Sequence, residues 1–261
     1  MNILRHICIG VMLLLSLASC LDHRLLNADP GVRLKTIDTR VAHIILIYSF
    51  NYDASGRLSS LTTRSRPEPE SGQLTLLQYD QLGRLVQATT QPKPGLDTRR
   101  TNYIYDAAGR LLTVTTLTDA DQTGTYRLEN ELALVYEGVS QMPVKITRNG
   151  EIITLNYKEG NVVESKTDYQ VTSPTGSYTA TDTTTYTYDE RLNPLSSVSL
   201  ALLSTTSVSL RLLSKNNLIS TSSKLISTKA LLTYEASGRL VKRSNEGLDT
   251  YFEETYEYEV Y

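Results

Sequence analysis

The sequence predicts an all-β chain. The expected form is a single large curved antiparallel meander of β-hairpins, an open or partly closed half-barrel, preceded by an N-terminal signal helix. Three observations carry that reading. A seven-residue turn pattern recurs along the chain. The segments around it alternate apolar and polar side chains with a period of two, as strands with one packed face do. There are 17 Tyr but no Trp and only 2 Phe, and Tyr suits strands and half-wet surfaces.

The first element is the leader MNILRHICIGVMLLLSLASC. Arg5 and His6 precede an apolar run from Ile7 to Ala18. That run is too short for a spanning helix and has the build of a signal-peptide core. Leu17-Ala18-Ser19-Cys20 resembles a bacterial lipobox, which implies cleavage before Cys20 and lipid on that residue. The expected organisation is a signal peptide over 1–19, a lipidated tether over 20–33 and a repeat domain over 34–261. Several acyl chains on one residue hold a protein stably to a membrane. Cys8 departs with the leader, so the mature chain has no second thiol for a disulfide or a thiolate metal site. Of the 26 basic residues only Arg5 falls in the leader, leaving 25 against 28 acids. That balance argues against a nucleic-acid surface.

The repeats follow. Tyr52–Leu58 reads YDASGRL, Tyr79–Leu85 YDQLGRL, Tyr105–Leu111 YDAAGRL and Tyr234–Leu240 YEASGRL. A degenerate copy, YDERLNPL, starts at Tyr188, and looser echoes start at Tyr136 and Asn156. The first three copies are spaced by 27 and 26 residues, the mark of one supersecondary unit repeated. In each, the acid opens a tight turn by accepting backbone N–H bonds, and Gly takes the positive φ that closes it. This register sets Tyr105 opposite Arg110, with ring and guanidinium stacked. Tyr103, Tyr105, Arg110, Leu112 and Val114 then share the packed face, with Leu111, Thr113 and Thr115 on the other. A catalytic site needs one constellation, so a constellation stamped at every turn reads as structure.

These heptads resemble the YD repeats of Rhs-type and teneurin-type cell-surface proteins. Large Rhs proteins wind such repeats into a shell around a toxin; this chain is expected to have too few copies to close a shell and to carry no appended toxin domain. The order of segments is also similar to a group of small lipoproteins of Bacteroidota. The matching segments are Tyr186-Thr187-Tyr188-Asp189 with Asn193-Pro194, Ser214-Lys215-Asn216-Asn217, and Thr255-Tyr256-Glu257-Tyr258-Glu259. That resemblance implies a strongly curved, porin-like antiparallel sheet, no known activity and an outer-membrane address. The Ser- and Leu-rich stretch 196–213 partly fits both strand and helix periods and is left open between them. A membrane-spanning barrel is disfavoured, because Arg57, Arg84, Arg110, Glu257 and Glu259 would face lipid.

Little chemistry presents itself. His6 and His23 lie in the leader and tether, and His43 is expected as a partly buried strand residue. No phosphate loop or catalytic triad is present. Asp119 and Asp121 lack the Gly and distal Glu of a calcium loop and read as a solvated hairpin loop. No cofactor and no metal are expected. The Tyr pairs Tyr103/Tyr105, Tyr186/Tyr188 and Tyr256/Tyr258 are candidates for a ligand platform, since a flat ring stacks on a sugar face. The other reading makes them the sheet's own packed face. The chain is thus expected to be a non-enzymatic binding or scaffold module of the cell envelope. Its partners would be the membrane, through its lipid, and a glycan or envelope protein, with no nucleic acid. The leaflet is undetermined. The alternative is a glycan-acting hydrolase using a carboxylate pair.

Overall fold

The structure is a computed structural model. It describes residues 31–66, 72–91, 97–173, 176–202, 209–246 and 251–261. The leader, Cys20 and most of the expected tether lie outside the described residues.

Sixteen antiparallel strands form one closed barrel. They are β1 (Val32–Val41), β2 (Ile44–Tyr52), β3 (Leu58–Arg66), β4 (Gln73–Tyr79), β5 (Leu85–Thr90), β6 (Thr98–Tyr105), β7 (Leu111–Asp119) and β8 (Arg127–Val135). The second half holds β9 (Lys145–Arg148), β10 (Glu151–Lys158), β11 (Asn161–Ser173), β12 (Gly176–Leu192), β13 (Asn216–Ser223), β14 (Ser227–Tyr234), β15 (Leu240–Glu246) and β16 (Phe252–Val260). Each strand pairs with its sequence neighbours, and β16 returns to β1 in register from Val32↔Val260 to Val41↔Phe252. This corrects the expected open or partly closed half-barrel. Hairpin patterning fixes what each strand does to its neighbour, and it carries no count of strands against circumference. The long-range seam between the first and last strands supplies the closure. Closure also removes both sheet edges.

The heptads sit in the turns of one rim. Asp106 Oδ1 accepts from Arg110 N at 2.8 Å, Arg110 Nε donates to Asp106 Oδ2 at 2.7 Å, and Gly109 N donates to Asp106 O at 3.0 Å. Gly109 holds φ +79°, a left-handed conformation that glycine adopts without a Cβ penalty. Asp53 and Asp80 are bonded in the same way. A bulge follows each turn, so Tyr105 faces Leu111 while Ile104 faces Thr113. The bulge overturns the expected faces of Leu111 and Leu112, while Tyr103 and Val114 lie on the packed face as expected. Leu111 and Val114 are buried, at 7% and 0% exposure, and Leu112 is the extra residue turned outward.

The stacking partner also differs from expectation. Arg110 lies over Tyr136 at 4.9 Å, in the next hairpin, and Arg84 lies over Tyr105 at 4.8 Å. The same one-step offset joins Arg33 to Tyr52, Arg57 to Tyr79, Arg191 to Tyr234 and Arg239 to Tyr258. The tyrosine hydroxyl bonds to the backbone carbonyl beside that arginine: Tyr52 to Leu34, Tyr79 to Leu58, Tyr105 to Leu85, Tyr136 to Leu111 and Tyr258 to Leu240, at 2.6–2.8 Å. Tyr188 bonds the Val162 carbonyl at 2.8 Å with no arginine beside it, and Tyr234 bonds Asp189 instead. Most hairpins are thus pinned to the one before.

Inward positions near this rim are apolar and form one cluster around the ring, including Leu34, Phe50, Leu85, Val114, Leu132, Ile146, Val162 and Leu240. Outward positions carry cross-strand polar pairs, such as Asn51 to Ser60 (3.1 Å), Gln87 to Asn102 (3.0 Å), Thr187 with Ser220 (2.6 Å) and Lys242 to Glu253 (2.6 Å). These polar pairs alternate around the wall with exposed apolar side chains such as Ile104, Leu128 and Leu231. His43 is exposed in the β1–β2 turn beside Ala42, which holds φ +50°, not in a strand as expected. Asp119 is buried and caps its own loop through Thr123 N and Gly124 N, at 3.0 and 2.7 Å.

Two predictions follow from the rim. Tyr105→Phe leaves the Leu85 carbonyl without its donor and should cost about 1 kcal/mol. Tyr157→Phe should cost nothing measurable, because the buried Tyr157 hydroxyl has no hydrogen-bond partner; denaturant melts compare the two. The second concerns acid. Hydrogen bonds from Ser55 to Asp53, and chiefly from Arg84 N to Asp80 and Arg110 N to Asp106, hold these carboxyls below the usual range. A lowered folded pKa gives stability that is present above the unfolded value and lost as pH falls through the folded one. Stability should therefore drop below about pH 4, and the slope should flatten in Asp80→Asn/Asp106→Asn.

Candidate functional site

The connection between β12 and β13 replaces a turn with an insert that packs into the apolar rim. Asn193 starts it: its side chain accepts from Leu195 N (3.0 Å) and donates to Arg211 O (2.6 Å) and Ser214 O (3.2 Å). Pro194–Ser197 and Leu210–Leu213 are 3-10 turns, and Ser199–Leu202 is one turn of α-helix. The stretch left open between strand and helix is thus helical where it is described. Leu195, Val198 and Leu212 are buried in the common core.

The insert also delivers Arg211 to the inner wall. Arg211 donates to Glu254 Oε1 at 3.1 Å and to Tyr256 Oη at 2.9 Å, and Tyr256 donates to Glu254 Oε2 at 2.7 Å. Arg243 of β15 faces Glu254 from 3.7 Å and covers the Phe252 ring at 5.1 Å. Burial pushes Glu254 up, but the charges of Arg211 and Arg243 outweigh it and hold the carboxyl below its usual value. Burial lowers Arg211, and Glu254 and Tyr256 more than restore it, while burial and the Arg211 charge lower Arg243. This buried cluster is an ion pair with a spare cation, fixed between plug and wall.

A second knot joins the degenerate repeat to β13 and β14. Asp189 accepts from Arg191 N (3.0 Å), Asn217 N (3.1 Å) and the Tyr234 hydroxyl. Buried Asn161 and Asn216 bond at 2.8 Å. Hence Asp189 ties its own turn to two later strands, unlike Asp53, Asp80 and Asp106.

The candidate tyrosines are spread around the ring. Tyr103 and Tyr256 are only 4% and 3% exposed. Tyr105, Tyr188 and Tyr258 spend their hydroxyls on the rim carbonyls described above, and burial pushes Tyr188 up to about 12. Tyr186 shares a hydrogen bond with Ser165 Oγ at 2.8 Å. The structure brings Tyr256 into the Arg211 cluster and Tyr188 against the insert through Ser214 Oγ (2.9 Å). It does not gather the three pairs into one surface. Cys20 lies outside the described residues. Arg211, Arg243 and Glu254 escaped the sequence reading, although Arg211 stands out as the one charge in SVSLRLL. Among the described residues, no group of three or more His, Cys, Asp or Glu is placed to hold a metal ion.

No family model matches this chain, and no curated protein matches it. Among solved structures it is similar to a porin-like protein from Bacteroides uniformis ATCC 8492, at 15% identity and a TM-score of 0.44, over 88% of this chain and 98% of that one. It is also similar to TcdB2-TccC3 in two crystal structures. One gives 15% identity and a TM-score of 0.30 over 78% of this chain, and the other 14% and 0.29 over 79%. This chain covers 12% of each TcdB2-TccC3 chain.

Removing one member of the buried cluster strands the others. Glu254→Ala should destabilise the chain by about 3–5 kcal/mol, the cost of leaving two arginines uncompensated. Arg211→Met combined with Glu254→Ala should recover part of that loss in the same chemical-denaturation experiment.

Proposed function

We propose that the chain is a cell-envelope lipoprotein, held at the outer membrane by lipid on Cys20, that works as a non-enzymatic binding or scaffold module. The observation that carries this reading is where the acids are spent. Asp53, Asp80, Asp106 and Glu235 each bond the arginine of their own turn. Inside the barrel, Glu151 pairs with Arg148 at 2.6 Å, Glu129 with Arg99 at 3.3 Å and Glu254 with Arg211 at 3.0 Å. Glycoside hydrolysis wants two carboxyl groups facing one bond, one of them with a raised pKa. Here the most buried glutamate is lowered, which suits a structural ion pair better than a proton donor.

Rigid closure also favours binding over catalysis by moving parts. Incubated with envelope polysaccharides and envelope extracts, the purified chain should retain a component saturably and leave polymer size unchanged. Depolymerisation that disappears in Glu254→Gln would instead establish the hydrolase reading.

A further inference from the structure

At the rim opposite the repeat turns, one hairpin outgrows the barrel. Strand β11 pairs with β10 only as far as Asp168↔Ile152, and β12 pairs with β13 only as far as Thr184↔Ser223. Beyond those points the two strands pair with each other alone, from Tyr169↔Ala180 to Ser173↔Gly176. Five further steps at about 3.3 Å each carry this ribbon about 17 Å past its neighbours. On the β12 side, residues 176–183 have no second neighbour, the longest such run among the described residues.

That edge is lightly protected. Natural edge strands are blunted by charge, proline or a bulge. From Gly176 to Thr181 there is no charged residue and no proline, Asp182 is the one charge of the free run, and the pairing is regular throughout. The ribbon is also two-faced. Tyr169 (38% exposed), Val171, Tyr178 (58%) and Ala180 share one face. Gln170 bonds Thr179 at 2.7 Å and Thr172 meets Ser177 at 3.3 Å on the other. Where β13 leaves the β12 edge, its turn presents Leu225 and Ile226 at 84% and 61% exposure.

We infer that the β12 edge is a self-association site whose occupant is the same edge of a second copy, paired antiparallel about a two-fold axis at Thr179. The axis sets Thr179 against Thr179, Tyr178 against the small Ala180, and Asp182 against Gly176, so no like charges meet. Threonine rows of this kind already bond inside the molecule, as Thr221 does with Thr228 at 2.6 Å. The two-fold also brings Gly176 and Ser177 of each ribbon toward the other copy's Leu225–Ile226 turn. Free edge and exposed apolar turn thereby cover each other, as an isologous contact requires. The contact is small and sits at the weak end of specific interfaces. Antiparallel pairing points the barrels in opposite directions, with their Gly31 ends at the far extremes. Resting on the lipid anchor proposed above, this joins copies held on two opposed membranes.

The barrel closes from Val32 onward, so the test uses residues 21–261, which contain no native cysteine. Sedimentation should show a monomer–dimer equilibrium at high micromolar concentration. Thr179→Cys should be trapped as a disulfide-linked dimer under mild oxidation. Thr179→Lys should be monomeric with an unchanged melt, whereas Thr172→Lys, on the same face but the other strand, should still dimerise. A chain that stays monomeric, or a dimer indifferent to Thr179→Lys and not trapped by Thr179→Cys, overturns the inference. A monomer that still retains an envelope component leaves the binding-module reading standing.

Discussion

The barrel depends on one contact made between consecutive hairpins: a tyrosine hydroxyl on the carbonyl one hairpin back, with that hairpin's arginine laid over the ring. Each element alone is modest. A hydrogen bond contributes about 1 kcal/mol and an exposed cation–π contact about 0.5–1 kcal/mol. Their value lies in direction. The intra-turn Asp–Arg bond fixes the guanidinium, the guanidinium fixes the next ring, and the ring fixes the next strand. The links point the same way around the rim, and the two chain ends of the ladder meet at Arg33, which stacks on Tyr52 at 4.3 Å and on Tyr261 at 4.7 Å.

The two ends of the barrel are built differently as a result. The laddered rim is dense and apolar, and Leu195, Val198 and Leu212 of the insert pack into it. The opposite end relies on polar inward pairs, such as Thr75 with Thr90 at 3.3 Å and Thr101 with Thr116 at 3.4 Å. The cluster of Arg211, Glu254 and Tyr256 stands between plug and wall. An apolar trio could match it in stability, and it joins the insert to β16 through Arg211 and Glu254 at 3.0 Å.

The turns were legible in the sequence because their causes are local. An acid, a glycine and an arginine within seven residues determine their own hydrogen bonds. The face of Leu111 was not legible, because a bulge inserts Leu112 and shifts the alternation after the turn. The partner of Arg110 was hidden for a related reason. Strand offset places Tyr136, 26 residues on, nearer than Tyr105. The Arg211–Glu254 pair spans 43 residues and has no periodic signature. Of the candidate tyrosines, the sequence marked their periodicity but not whether the periodic face would be sealed by closure.

The β1–β16 seam has a temporal meaning. Arg33 and Glu259 bond across it at 2.6 Å while standing 226 residues apart in the chain. Hairpins made of neighbours in sequence can form as soon as they emerge, whereas a contact of such separation waits on the whole chain. The polypeptide therefore folds as a growing curved ribbon with one unsatisfied edge at each end. It becomes a barrel only when its last nine-residue strand is in place, so that strand acts as the latch of folding.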